Sequence, residues 1–153
     1  AVRKLPADAP TMLAETARGV FFGRMRDLPP DRALVVILVP GERHGSLGRE
    51  AGLIHARGLA QRCPQAEVIC RIGWARFGIV SGAAKADLLR WASAVISDVP
   101  EPICVGVGLA GAKPLDAFGV LEMGTNEAAV ANPGVRVFTL DEAKAWVFPL
   151  RDG

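Results

Sequence analysis

Two stretches of the chain gather side chains capable of chemistry. The first is Gly41-Glu42-Arg43-His44-Gly45, which follows an apolar run and precedes Ser46, a residue suited to cap a helix. Backbone amides at a helix start favour anions, so Arg43 and His44 are candidate phosphate contacts. No Gly-Lys-Ser/Thr closes the loop, so it is not a Walker loop, and an ordinary solvated loop is the competing reading. The second stretch is Cys70-Arg-Ile-Gly-Trp-Ala-Arg-Phe-Gly-Ile-Val80. It places Arg71 and Arg76 on either side of a bend at Gly73-Trp74-Ala75. An exposed Trp74 would be an interaction anchor, because tryptophan is enriched at binding hot spots. A buried Trp74 would simply fill space, and the sequence leaves both open.

Other constellations fall short. His44 and His55 stand eleven residues apart, without the i, i+4 spacing of a helical metal site. Ser46 and Ser81 have no His/Asp partner at a recognisable spacing, which leaves nucleophilic catalysis unsupported. Cys63, Cys70 and Cys104 cannot all pair and lack Cys-x-x-Cys spacing, so they read as buried thiols of a reducing compartment. No cofactor is implied.

Composition sets the frame for these residues. The 153-residue chain fits one domain, and its apolar half suffices for a core without disulfide or metal staples. Lys and Arg exceed Asp and Glu only by 18 to 16, which argues against a nucleic-acid binder with a basic stripe. The longest apolar run, Ala33–Val39, is far too short to cross a bilayer, so no membrane contact is expected of this segment. The chain opens at Ala1 rather than a methionine and reads as a piece of a longer protein.

The elements that must position these residues follow from apolar periodicity and breakers. Residues 1–10 read as a Pro-rich linker. Thr11 is placed to cap a helix to about Leu28, with Leu13, Ala17, Val20 and Phe21 as its inner stripe. Residues 33–39 read as a central strand buried on both faces. A helix from Ser46 to about Gln61 follows, with Leu53, Ala56 and Ala60 inward. Residues 67–72 and 76–81 form two strands of a hairpin. Further elements are a helix over 84–96 carrying Leu88, Trp91 and Val95, a strand over 103–109, a helix over 115–131 and a strand over 135–140. Gly106 and Gly108 inside their strand mark close approach of a packed helix. Residues 141–153 read as an irregular or short helical tail. The βαββαβ order matches the ferredoxin-like split βαβ pattern. The expected fold is α/β (α+β), with a mixed sheet of about five strands and helices packed on it.

On these residues the chain resembles the GGDEF domains, the diguanylate cyclases of bacterial signalling. Arg71, Gly73 and Phe77 match the family's signature hairpin, in which Arg-x leads into Gly-Gly-Asp/Glu-Glu-Phe. Gly48-Arg49-Glu50 stands 25 residues before Gly73, where the family has a Gly-Asp-Glu-like turn. Cys104-Val-Gly-Val-Gly-Leu109 resembles the family's strand after the hairpin. Glu127 to Gly134, followed by Val135-Arg-Val-Phe138, looks like a remnant of its closing helix and strand. The resemblance covers residues 11–140 and implies a GGDEF, nucleotidyl-cyclase-like fold.

The departures bear on the chemistry that the resemblance implies. A cyclase of this family draws its metal ligands from carboxylates at the end of the first strand and in the signature hairpin. Here the first strand ends Ile37-Leu38-Val39-Pro40, and Ala75 and Arg76 stand where the acidic pair belongs. Trp74 replaces the second glycine, where the family's backbone approaches the nucleotide. Ala131 and Val135 fall near the family's phosphate-binding Lys and Arg positions. At the family's product site, the Arg-x-x-Asp pair is replaced by Pro64 and Glu67, and proline supplies no bidentate guanine contact.

The resemblance therefore implies a degenerate, catalytically inactive regulatory or protein-interaction module, residues 11–140, of a bacterial cyclic di-GMP signalling protein. Its implied site is the altered hairpin Gly73, Trp74, Ala75, Arg76 and Phe77. Its expected partner is another domain of the parent protein or a second copy, with nucleotide binding weak or absent and a cytoplasmic location. The alternative is a non-catalytic sensor of GTP or cyclic di-GMP that uses Arg43, His44, Arg71 and Arg76. An unrelated enzyme on a ferredoxin-like scaffold is the third reading, since fold does not fix function.

Overall fold

The computed structural model describes residues 13–40, 46–99, 102–132 and 136–148. Its elements are α1 (Arg18–Met25), β1 (Ala33–Leu38), α2 (Ser46–Arg62), β2 (Ala66–Gly73) and β3 (Arg76–Ser81). They continue with α3 (Lys85–Ile96), β4 (Cys104–Leu109), α4 (Pro114–Ala131), β5 (Val137–Thr139) and α5 (Leu140–Val147). The strands form one sheet in the order β2-β3-β1-β4-β5. β1 is antiparallel to both neighbours, and β5 pairs with β4 in parallel, so the sheet is mixed as expected.

β1 occupies the centre because its sequence tolerates no water on either side. All six residues of Ala-Leu-Val-Val-Ile-Leu are buried. Alternation sends Ala33, Val35 and Ile37 to one face, where they meet Ala56, Leu59 and Ala60 of α2 and Leu88 and Ala92 of α3. Leu34, Val36 and Leu38 go to the other face, against Phe21 and Met25 of α1, Phe118 and Leu121 of α4, and Ala143 of α5. Each fully buried side chain of this size contributes roughly 1.5–3 kcal/mol, so these two apolar layers fix the architecture.

Glycine makes one of those layers possible. A Cβ on Gly106 would lie 2.3 Å from Thr125 Oγ1, and one on Gly108 would lie 2.5 Å from Leu140 Cβ. The two strand glycines thus admit α4 and α5 against β4, as their position in the sequence suggests.

Two expectations need correction, and a third is settled between its alternatives. The opening helix is shorter than its apolar spacing suggests. Residues 13–17 are extended, Ala17 is the N-cap of α1, Val20 is half exposed, and the buried pair is Phe21 and Met25 at i, i+4. Backbone pairing displaced the longer helix: Thr16 N–H donates to the Ile69 carbonyl at 2.7 Å, laying the segment along the open edge of β2. Thr11, its expected cap, lies outside the described residues.

The last strand is also shorter, at three residues. The chain leaves it through a capping box in which Glu142 N–H donates to Thr139 Oγ1 at 3.2 Å and Thr139 N–H donates to Glu142 Oε1 at 3.0 Å. Such a box contributes about 1 kcal/mol. Of the two forms expected for the tail, irregular or short helical, the helical one is found: α5, whose Ala143 is fully buried against α4. Among the described residues no helix is long and apolar enough to cross a membrane.

Candidate functional site

The hairpin that carries the family resemblance turns through two residues, Trp74 and Ala75, with Gly73 paired to Arg76 across a register irregularity. Arg71 holds the turn in place. Its Nε donates to the carbonyls of Gly73 at 3.1 Å and Trp74 at 2.8 Å. Its guanidinium carbon also lies 4.9 Å from the Trp74 ring centroid. A cation over an indole contributes about 0.5–1 kcal/mol where solvent is near. Trp74 thus resolves between its two readings. It is 37% exposed and stacks on Arg71, so it neither fills an interior void nor stands isolated.

Ala75 points the other way and is buried, its carbonyl accepting from Val39 N–H at 3.3 Å. This ties the hairpin tip to the end of β1. Phe77 is fully buried beneath the Arg57 guanidinium, whose carbon sits 5.6 Å from its ring centroid.

Arg76 leaves the sheet toward α4. Its Nη1 lies 3.4 Å from Glu122 Oε2, and its Nη2 donates to Asn126 Oδ1 at 3.4 Å. Both charged side chains are largely withdrawn from water. Gly73 lies against the stem of this arginine; a Cβ there would meet Arg76 Cδ at 3.1 Å.

Glu122 and Asn126 did not emerge from the sequence as site residues. They stand four residues apart on α4 and so share a face, but nothing in that spacing ties them to Arg76. Glu15 and Arg57 form a second polar contact that spacing alone does not reveal. Arg57 Nε donates to Glu15 Oε2 at 2.6 Å and Nη2 to Oε1 at 3.2 Å.

Arg43 and His44 lie outside the described residues, as do Glu42 and Val135. Ser46 begins α2 as expected. Of the four expected anion contacts, Arg71 and Arg76 sit on the hairpin, and each is engaged by protein oxygens. Of the two residues that the resemblance sets at a product site, Glu67 pairs with Arg32 at 2.9 Å and the Pro64 carbonyl accepts from Ser81 Oγ at 2.7 Å. His55 is partly buried, and Trp91 packs partly buried against the core. Among the described residues no three His, Cys, Asp or Glu side chains converge as a metal site. All three cysteines are buried and none is in a disulfide; burial pushes the thiols of Cys63 and Cys104 up to about 12.

No family model and no curated protein matches the sequence. Among solved structures the chain is similar to Vibrio cholerae LapD S helix-GGDEF-EAL, bound to c-di-GMP, with a TM-score of 0.55 and 15% identity. The likeness covers 82% of this chain but 35% of that one. At this identity it speaks to architecture alone. The chain has an α+β fold similar to the GGDEF, nucleotidyl-cyclase-like kind, with five strands in one mixed sheet and five helices around it among the described residues.

Proposed function

We propose that this chain is a degenerate GGDEF-like module without cyclase activity, acting through protein contacts within a bacterial cyclic di-GMP signalling protein. One observation carries the reading. Where the resemblance places a metal-binding carboxylate, Arg76 extends a guanidinium that is turned onto Glu122 and Asn126. A unit-charge pair about 4 Å apart interacts by about 4 kcal/mol at an effective dielectric near 20, and a divalent ion doubles that figure. Exchanging −1 for +1 turns this attraction into repulsion of equal size. Ala75, at the neighbouring acidic position, offers only a buried methyl group.

The half-exposed Trp74, braced from below by Arg71, supports a contact role for the same hairpin. The partner is another domain of the parent protein or a second copy of this chain. The parent is assigned to cyclic di-GMP signalling by analogy with LapD, whose chain continues well beyond the matched region. The test is an assay with GTP and Mg²⁺: no cyclic di-GMP should form, and measurable turnover would overturn the proposal.

A second reading, a non-catalytic sensor of GTP or cyclic di-GMP, draws on the cyclic di-GMP bound in the LapD structure. It requires Arg71 and Arg76 to exchange their present protein partners for phosphate. Calorimetric titration separates the two readings. Micromolar binding that disappears in Arg76→Ala would favour the sensor.

A further inference from the structure

At the end of the sheet away from the hairpin, α4 and α5 flank a groove of about 710 Å³. The separation follows from register. The start of β1 pairs with Leu109, beside the groove, and its end pairs with Arg76, at the hairpin, so about 17 Å of strand lies between them. We propose that this groove docks an acidic amphipathic helix of another polypeptide. The inference rests on this surface alone and stands apart from the reading of the hairpin.

The lining is apolar and open. Leu109 and Leu115 are more than a third exposed, and Met123 and Phe148 more than half. Large apolar side chains grouped around one concavity mark an interaction surface, whereas scattered ones do not. Methionine adapts its shape to an incoming apolar face.

Gly119 indicates that the occupant is a helix. It lies in the middle of α4 and lines the groove, where a Cβ would meet nothing within 4 Å. Glycine inside a helix costs roughly 0.5–1 kcal/mol relative to alanine, and nothing among the described residues requires it here. Five residues on, Gly124 differs, because a Cβ there would strike the Ala143 carbonyl oxygen at 2.2 Å. Leu115, Gly119 and Met123 follow one another at i, i+4 and i+8, forming a ridge with a notch at its centre. A crossing helix seats a ridge of its own in such a notch.

Charge selects the occupant. Lys113 and Lys144 line the groove against the single carboxylate of Asp116. Lys113 is the N-cap of α4 and makes no side-chain capping bond, so the positive end of an 18-residue helix faces the same opening. The partner's apolar stripe should therefore be flanked by Asp or Glu.

The test uses the whole chain and a labelled peptide of about 18 residues, with leucines at helical i, i+3, i+4 and i+7 spacing flanked by glutamates. A second peptide carries lysines in place of the glutamates. The acidic peptide should bind saturably, and roughly ten-fold more tightly than the basic one. Lys113→Glu with Lys144→Glu should reverse that preference. Gly119→Leu should abolish binding while leaving the melting temperature unchanged or raised. Met123→Asp, at an exposed position, should also abolish it and serves if Gly119→Leu disturbs folding. Failure of both peptides to bind, equal binding of the two, or binding indifferent to both groove substitutions would overturn the proposal. So would lysine-dependent sedimentation with phosphatidylglycerol vesicles in the absence of peptide binding, which would assign the groove to a membrane.

Discussion

Arg76 at the start of β3 and Glu122 in the middle of α4 meet at 3.4 Å, joining the hairpin to the helix that crosses behind it. The side chains are 19% and 27% exposed, so water only partly screens the pair. Asn126, one turn further along α4, takes a second guanidinium nitrogen. This contact braces the hairpin against α4.

If the brace is real, the two side chains must be energetically coupled. A double-mutant cycle of Arg76→Met and Glu122→Gln, read by urea unfolding, should give a coupling of roughly 0.5–1 kcal/mol that shrinks as salt is added. A coupling of zero would mean that the two groups are merely adjacent.

Two glycines on α4 should respond in opposite directions. Gly124→Ala forces a methyl into the Ala143 carbonyl and should destabilise by about 1–3 kcal/mol, because α5 must shift to make room. Gly119→Ala meets open space and should stabilise by roughly 0.5–1 kcal/mol through helix propensity. Thermal melts of the two variants check both signs.

The cysteines set a pH dependence at the alkaline end. Burial pushes Cys63 and Cys104 from an ordinary 9.0 to about 12, so the folded chain keeps protons that the unfolded chain has already shed. The associated stability is intact below pH 9 and falls as pH rises from 9 toward 12. The slope is about 1.4 kcal/mol per pH unit for each thiol. Urea midpoints at pH 8 and pH 10 should differ in that direction, by roughly 2–3 kcal/mol for the two together. Cys70 is raised as well, chiefly by burial, with Arg18 opposing and Glu15 reinforcing the shift. At pH 8 a disulfide reagent should label the native chain slowly and the denatured chain quickly.

The extended segment before α1 is held by side chains as well as by the edge of β2. Gln61 receives the Leu13 N–H on its Oε1 at 3.0 Å and returns a bond from Nε2 to the Leu13 carbonyl at 2.7 Å, standing in for a neighbouring strand. Glu15 and Arg57 add a bidentate pair. Gln61→Ala should cost about 1 kcal/mol and speed hydrogen exchange at Thr16, with little change at β1.

Much of the fold was legible in the sequence because burial writes a strong pattern. Ala33–Leu38 could only be a central strand, Leu88 could only face inward, and the glycines of β4 announced a close-packed helix. The opening segment was misread because Leu13, Ala17, Val20 and Phe21 fit a helical period, while the competing pairing with Ile69 lies more than fifty residues away. The stretch after residue 140 was open between an irregular tail and a short helix because its strongest local signal, Thr139 with Glu142, is a cap rather than an apolar stripe. At the hairpin, the sequence placed Ala75 and Arg76 side by side, yet the destination of Arg76 depended on Glu122 and Asn126. That partnership is created by the crossing of α4 and has no counterpart in local spacing.

The central proposal is that the hairpin does not seat a divalent ion together with a nucleoside triphosphate. The most direct measurement follows backbone amide resonances of Gly73, Trp74, Arg76 and Phe77 while Mg²⁺ and a non-hydrolysable GTP analogue are titrated together. The account predicts no saturable shift at these positions up to millimolar ligand. A saturable, Mg²⁺-dependent shift centred on the hairpin would contradict it.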